Sequence, residues 1–396
     1  MRVKGIVAVS ALALAEIAQS QQVEKPLPKG WELVGLPALN FDSDEGFGYG
    51  ALLEAYNYGN GVQPYRYTIQ PTLFLTTKGR RDFVIFFDAP KLLPGDWRLD
   101  ALVGREQHLA TPYYGVGNNT VFDETLEVEP DAYYYRYGKT QLRVVANLQH
   151  KLGRFPARGL FGVGFADVKT DATPFDSGTT LLLQDLAGSP APRGKIAYVR
   201  AGLVWDTRNR EIAPRSGSYG DLLVQRVDRA FGASHTYTRY TAIGRKYLPL
   251  TSSVVLAHRA LVQQTDGDVQ LYDLATIQTS FKQQEGLGGS NSIRGLQKNR
   301  FLGKGIAFLN TDLRWRFAEF ELLRKPAYLT WSGFFDVGRV WSKTLSSWEL
   351  ESIGLHTGYG TGMRLGLGPS FAVAFDLARS PESKSTQIYI GLGYPF

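Results

Sequence analysis

Beyond its N-terminal segment the chain has no apolar stretch approaching the roughly 20 residues that a membrane-spanning helix needs. Yet apolar residues recur along it with a period of two. Alternation of this kind puts successive side chains on opposite sides of a pleated strand. From Ile306 to Phe317, one face carries Ala307, Leu309, Thr311, Leu313, Trp315 and Phe317. The other carries Ile306, Phe308, Asn310, Asp312, Arg314 and Arg316 and turns steadily polar. Residues 140–150 set Leu142, Val144, Ala146 and Leu148 against Gln141, Arg143, Asn147 and Gln149. Residues 371–377 set Phe371, Val373, Phe375 and Leu377 against Ala372, Ala374 and Asp376. A soluble sandwich also alternates. Strands of about ten residues, with Arg or Asp on the non-apolar face, fit instead a closed barrel in lipid, as do aromatics near strand ends (Trp205, Trp315, Trp341, Tyr394, Phe396).

About sixteen strand-like segments run from 32–41 to 386–396, among them 132–149, 305–317 and 326–341. An even number is what a bacterial barrel requires. Short connections near 59–64, 151–156, 249–251 and 368–369 alternate with long ones near 108–131, 171–194, 265–304 and 342–354. Short turns on one rim and long loops on the other place the short rim, and both termini, in the periplasm. The expected architecture is all-β: residues 32–396 form a transmembrane antiparallel β-barrel of about 16 strands, closed so that no unpaired edge meets lipid.

Composition narrows the function. With 43 Gly, 22 Phe, 21 Tyr, 7 Trp and no Cys, the chain has no disulfide scaffold, thiolate metal site or Cys nucleophile. Arg2 and Lys4 precede a short apolar run from Gly5 to Ala15, which reads as a secretory signal over residues 1–20 with cleavage after Ser20, followed by a short periplasmic segment, 21–31. The five His (His108, His150, His235, His258, His356) have no metal-ligand spacing, and the chain has no G-x-S-x-G elbow, so neither an enzyme nor a metal or other cofactor is expected. The net charge of +7 is spread along strands rather than clustered, which favours contact with outer-membrane lipid and lipopolysaccharide over nucleic acid.

Four segments resemble one family. The run Gly286-Leu287-Gly288-Gly289-Ser290-Asn291-Ser292-Ile293-Arg294-Gly295-Leu296 is similar to the conserved loop of the bacterial surface antigen barrels. This is the outer-membrane protein assembly factor superfamily, which includes the barrel-assembly insertase and the two-partner secretion transporters. Leu296 stands where Phe or Tyr is usual. Phe334-Phe335-Asp336-Val337-Gly338 resembles the family's F-x-D-x-G strand, and Tyr113-Tyr114-Gly115-Val116-Gly117-Asn118 its tyrosine-glycine loop. Asp206-Thr207-Arg208-Asn209, with Pro214 and Gly217, resembles its periplasmic turn. The four occur in the family's order, and the resemblance covers essentially the whole mature chain.

The resemblance implies a long extracellular loop folded into the lumen and anchored there, with Arg294 and Gly295 meeting Asp336, Phe334 and Gly338. The physics agrees, because Asp336 lies on the strand face opposite Phe335 and Val337, and a lumenal carboxylate suits the planar fork of an arginine. The last residues resemble the family's targeting signal, read by the barrel-assembly machinery during biogenesis. Ile388, Ile390, Leu392, Tyr394 and Phe396 form one apolar face there, Gly391 holds the signal's glycine, and Tyr389 replaces its usual polar residue. Relatives normally carry polypeptide-transport-associated (POTRA) domains before the barrel, and residues 21–31 leave no room for one. Two functions are expected. One is insertion or translocation of polypeptide through a seam between first and last strands, weakened by Pro37 and Pro395, with a periplasmic chaperone or POTRA-bearing partner. The other is a plugged channel or a structural subunit of a larger complex.

Overall fold

The computed structural model describes residues 29–396 apart from 43–45, 63–64, 92, 128–132, 176–177, 212, 282, 323–324, 343–353 and 368–370. The expected signal segment 1–20, and residues 21–28 of the expected periplasmic segment 21–31, lie outside the described residues.

Among the described residues, sixteen strands close into one antiparallel barrel. They are β1 (Gly30–Asp42), β2 (Gly46–Gly59), β3 (Tyr67–Thr76), β4 (Arg80–Ala89), β5 (Trp97–Pro112), β6 (Arg136–Lys151), β7 (Ala157–Asp171) and β8 (Arg193–Asp206). The second half comprises β9 (Gly217–Val227), β10 (Tyr237–Pro249), β11 (Val254–Gly267), β12 (Gly305–Leu322), β13 (Lys325–Trp341), β14 (His356–Leu367), β15 (Phe371–Arg379) and β16 (Gln387–Leu392). Each strand pairs with its neighbours in sequence, and β1 meets β16 to close the ring. Between β11 and β12 the chain enters the lumen, where Thr276–Ile277 pairs with Gln284–Glu285 in a two-residue ladder.

The alternation read from the sequence is the pleat of the wall. On β12, Phe308, Asn310, Asp312 and Arg314 are buried in the lumen, while Leu309, Leu313, Trp315 and Phe317 are exposed on the outer face. Leu53, Phe83, Phe161 and Leu222 are each more than half exposed there. Such a surface is stable only against lipid. The largest buried apolar cluster lies inside the barrel, where Leu287, Ile293, Leu296 and Phe301 of the inserted loop pack on Ile243, Leu261, Ile306, Phe308 and Val340 of the wall.

Several details differ from expectation. β12 extends to Leu322, beyond the expected 317, and its pairing with β13 shifts register between Arg316 and Ala318. Trp341 is no girdle residue: it is buried, and its indole N–H donates to Gln264 Oε1 at 2.6 Å. β16 stops at Leu392, so Tyr394, Pro395 and Phe396 lie beyond the ladder.

Candidate functional site

Arg294 ties the inserted loop to the barrel wall. Arg294 Nε and Nη2 donate to Asp336 Oδ2 and Oδ1, each at 2.8 Å, in the two-pronged geometry that suits a guanidinium and a carboxylate. Nη2 also donates to Asp312 Oδ1 at 2.7 Å, and the Arg294 backbone N–H donates to Asp336 Oδ2 at 3.1 Å. The guanidinium lies over the Phe334 ring, 3.6 Å from its centroid. Arg294, Asp312 and Asp336 are all essentially buried. Burial without partners would be costly for each charge, and here the charges are met in kind. Arg314 donates to Asp312 Oδ2 at 3.1 Å, and Asn310 Nδ2 bridges Asp336 Oδ1 at 2.7 Å to the Ser292 carbonyl.

Backbone fit explains the glycines. Gly295 has φ +98°, and a Cβ there would strike the Arg379 backbone. A Cβ on Gly338 would strike Phe308 and the Ala307 carbonyl, and one on Gly358 would overlap the Arg294 carbonyl. The loop therefore rests directly on the wall at Gly295 and Gly358, while Gly338 lets neighbouring wall strands close up. Tyr389 closes the far side: its hydroxyl accepts from the Gly295 N–H and donates to the Leu296 carbonyl, both at 3.3 Å. Leu296 fills the buried cluster in place of the family's aromatic.

The structure thus brings Arg294, Gly295, Phe334, Asp336 and Gly338 together. Sequence reading missed Asp312, Asn310, Arg314 and Tyr389. The first three stood on the polar face of β12, but their meeting with Arg294 depends on the register of β12 against β13, where Asn310 faces Asp336 and Asp312 faces Phe334.

One other expected segment supports the loop, and a second is held by contacts of its own. Asn118 of the tyrosine-glycine loop donates to the Gly354 carbonyl at 2.7 Å and accepts from the Val340 N–H at 2.9 Å. Its carbonyl lies 3.0 Å from His356 Nε2, and the His356 ring stacks on Phe301 of the inserted loop, centroids 3.6 Å apart. In the turn from β8 to β9, Arg208 binds Asp206 through both Nε and Nη2, and Asn209 Oδ1 accepts from the Arg215 and Ser216 N–H groups. Among the described residues no three His, Cys, Asp or Glu side chains form a group that could hold a metal ion.

The C-terminus departs from one continuous apolar face. Ile388 and Ile390 are partly exposed on the outer face, and Gly391 pairs with Ala374 inside the ladder. Phe396 instead turns into the lumen, where it is buried against Tyr247, Val255 and Ala257. The guanidiniums of Arg259 and Arg314 lie 4.9 Å from its ring, and Arg314 is 4.4 Å from the Tyr394 ring. Arg259 donates to the Pro395 carbonyl and Arg314 to the Phe396 carbonyl, each at 3.1 Å.

That inward turn leaves a short seam. Among the described residues β1 and β16 share the pairs Phe41 with Ile390 and Asp42 with Tyr389, against thirteen pairs between β1 and β2. From Gly30 to Asn40, β1 has no described strand on its β16 side.

Residues 194–396, just over half of the chain, match the Omp85 superfamily domain. No curated protein matches the chain significantly. Among solved structures it is similar to BamA from Haemophilus ducreyi lacking POTRA domains 1–3, at TM-score 0.60 and 12% identity over 92% of this chain and 70% of that one. It is also similar to CdiB from Escherichia coli (TM-score 0.58, 14% identity, 93% of this chain and 63% of that one) and CdiB from Acinetobacter baumannii (0.52, 11%, 93% and 60%). The chain therefore spans less than two thirds of the CdiB structures. With its inserted loop clamped beneath a sixteen-stranded wall, the chain belongs to the Omp85 superfamily and is a β-barrel of the bacterial outer membrane.

Proposed function

We propose that this barrel inserts or translocates polypeptide at the outer membrane, with client strands engaging the seam between β1 and β16. The observation that carries the reading is the bare β16 side of β1 among the described residues. A strand edge with free N–H and C=O groups is a template for another strand, and a barrel in lipid is expected to leave none. Among the described residues β1 keeps such an edge over residues 30–40, and Pro37 within it brings no N–H to any partner. Pro395 plays no part in the ladder, since it lies past the end of β16. Family membership supports the general role in insertion or translocation. A separate periplasmic chaperone or POTRA-bearing partner is the proposed source of clients.

The chain has no Cys, so a single engineered pair reports cleanly. Phe41 and Ile390 are register partners, at the spacing a disulfide accepts. Oxidised Phe41→Cys/Ile390→Cys protein is expected to lose insertion or export activity in cells and to regain it on reduction. Full activity with the bond formed overturns the reading.

A further inference from the structure

Positive charge that is spread along the chain is gathered by strand register on one part of the outer wall. Across β4 to β8, one row of register partners near the extracellular ends reads Arg81, Gln107, Thr140, Lys169 and Arg193. The next row down reads Phe83, Arg105, Leu142, Asp167 and Lys195. The row beneath, from Ile85 through Val103, Val144 and Phe165 to Ala197, is wholly apolar. Arg81, Arg105, Lys169, Arg193 and Lys195 are exposed on the same face as Phe83, Leu142 and Phe165. Five cations therefore share two rows with one carboxylate, directly above an apolar wall. Cations close by are paired, Arg80 with Asp82, Arg143 with Glu106 and Arg226 with Asp228. Lys169, Arg193 and Lys195 form no ion pair among the described residues. Lys169 and Arg193 stand directly opposite each other, with Cβ atoms about 5 Å apart, a placement that costs stability between like charges.

Height decides what can lie between them. Ala157, at the foot of β7, pairs with Trp205, and Lys169 lies twelve residues further along the same strand. At about 3.3 Å per residue and a tilt of about 40°, the Lys169 and Arg193 pair stands about 30 Å above Trp205. The apolar band of an outer-membrane barrel is about 25 Å tall, so the pair sits at the level of the outer-leaflet head groups. We propose that Lys169, Arg193 and Lys195 form a binding site for a phosphate group of lipopolysaccharide, whose acyl chains lie on the apolar wall below, against Phe165 and Val163. A phosphate between Lys169 and Arg193 turns a repulsive contact into charge-assisted hydrogen bonds, and the planar fork of Arg193 suits two phosphate oxygens. Asp167, the one acid in the two rows, faces Lys195, which leaves the Lys169 and Arg193 pair as the strongest point for an anion. In the ring of sixteen strands β7 and β8 lie across from the seam. The site therefore depends on the outer-membrane location and not on the polypeptide reading.

The test is binding of lipid A, the phosphorylated anchor of lipopolysaccharide, to the purified full chain in detergent, read by native mass spectrometry. Lys169→Gln/Arg193→Gln/Lys195→Gln is expected to weaken binding about tenfold or more, the loss of at least one hydrogen bond to a charged group. Lys91→Gln/Arg154→Gln/Arg210→Gln, which removes the same charge from exposed positions on the periplasmic turns, is expected to bind as the wild type does. Equal losses in the two variants overturn the site, as does equal wild-type affinity for lipid A stripped of its phosphates. Binding of inorganic phosphate as tight as that of lipid A overturns the lipid assignment. Should the triple variant not fold, Lys169→Glu keeps the idea testable, because it sets opposite charges face to face across β7 and β8. It is expected to raise the unfolding temperature in lipid-free detergent while losing lipid A binding, and an undiminished affinity overturns the site.

Discussion

Removing the Arg294 side chain is the sharpest perturbation of the lumenal clamp. Arg294→Ala deletes three charge-assisted hydrogen bonds and the contact with the Phe334 ring, but the two carboxylates fare differently. Asp312 keeps Arg314, whereas Asp336 keeps only Asn310 and one backbone N–H. Breaking a buried pair by removing one partner costs about 3–5 kcal/mol, and almost all of that falls on Asp336. Asp312→Asn leaves the fork on Asp336 intact, so its loss is about 1–2 kcal/mol. For a domain of this size the first figure corresponds to a fall of about 5–10 °C in unfolding temperature. The assay is conversion of the fast-migrating folded band to the slow one on unheated gels across a temperature series. A double-mutant cycle of Arg294→Ala with Asp336→Ala is expected to show coupling of about 2 kcal/mol. Equal unfolding temperatures for Arg294→Ala and wild type, or a loss in Asp312→Asn matching that in Arg294→Ala, would refute the division of labour between the two carboxylates.

Two further outcomes follow. Phe396→Ala removes the ring that Arg259 and Arg314 cover, so the C-terminal residues are expected to yield faster to carboxypeptidase in detergent, and equal digestion rates contradict the buried tail. Leu222→Arg places a charge mid-strand on the outer face and is expected to destabilise the barrel by about 2–4 kcal/mol in refolding titrations into lipid vesicles, whereas Gln225→Arg, on the lumenal face of the same strand, is expected to be much milder.

The wall was legible because a period of two survives any error in strand ends: Leu309, Leu313 and Trp315 are outside whatever the bounds of β12. The meeting of Arg294 with Asp336 was legible through family resemblance, and the pleat added that Asp336 points inward. Alternation assigns a face but not a neighbour, so the sharing of Arg294 between Asp336 and Asp312 waited on register. Phe396 failed for a different reason. An aromatic ring is equally at home against lipid and over a guanidinium, and nothing local to residues 393–396 says that Arg259 and Arg314, far back in the chain, occupy the lumen beside them.

The clamp also has a consequence for the order in which the barrel comes together. Arg294 and Asp336 lie 42 residues apart, whereas the seam joins positions about 350 residues apart, a difference of about 2 kcal/mol in loop-closure entropy. The nearer contact also gains more on forming than the two described ladder pairs do. On this count the loop is expected to seat while the ring is still open, with closure between β1 and β16 the final step. What remains most reversible in the finished barrel is then the event that completed it.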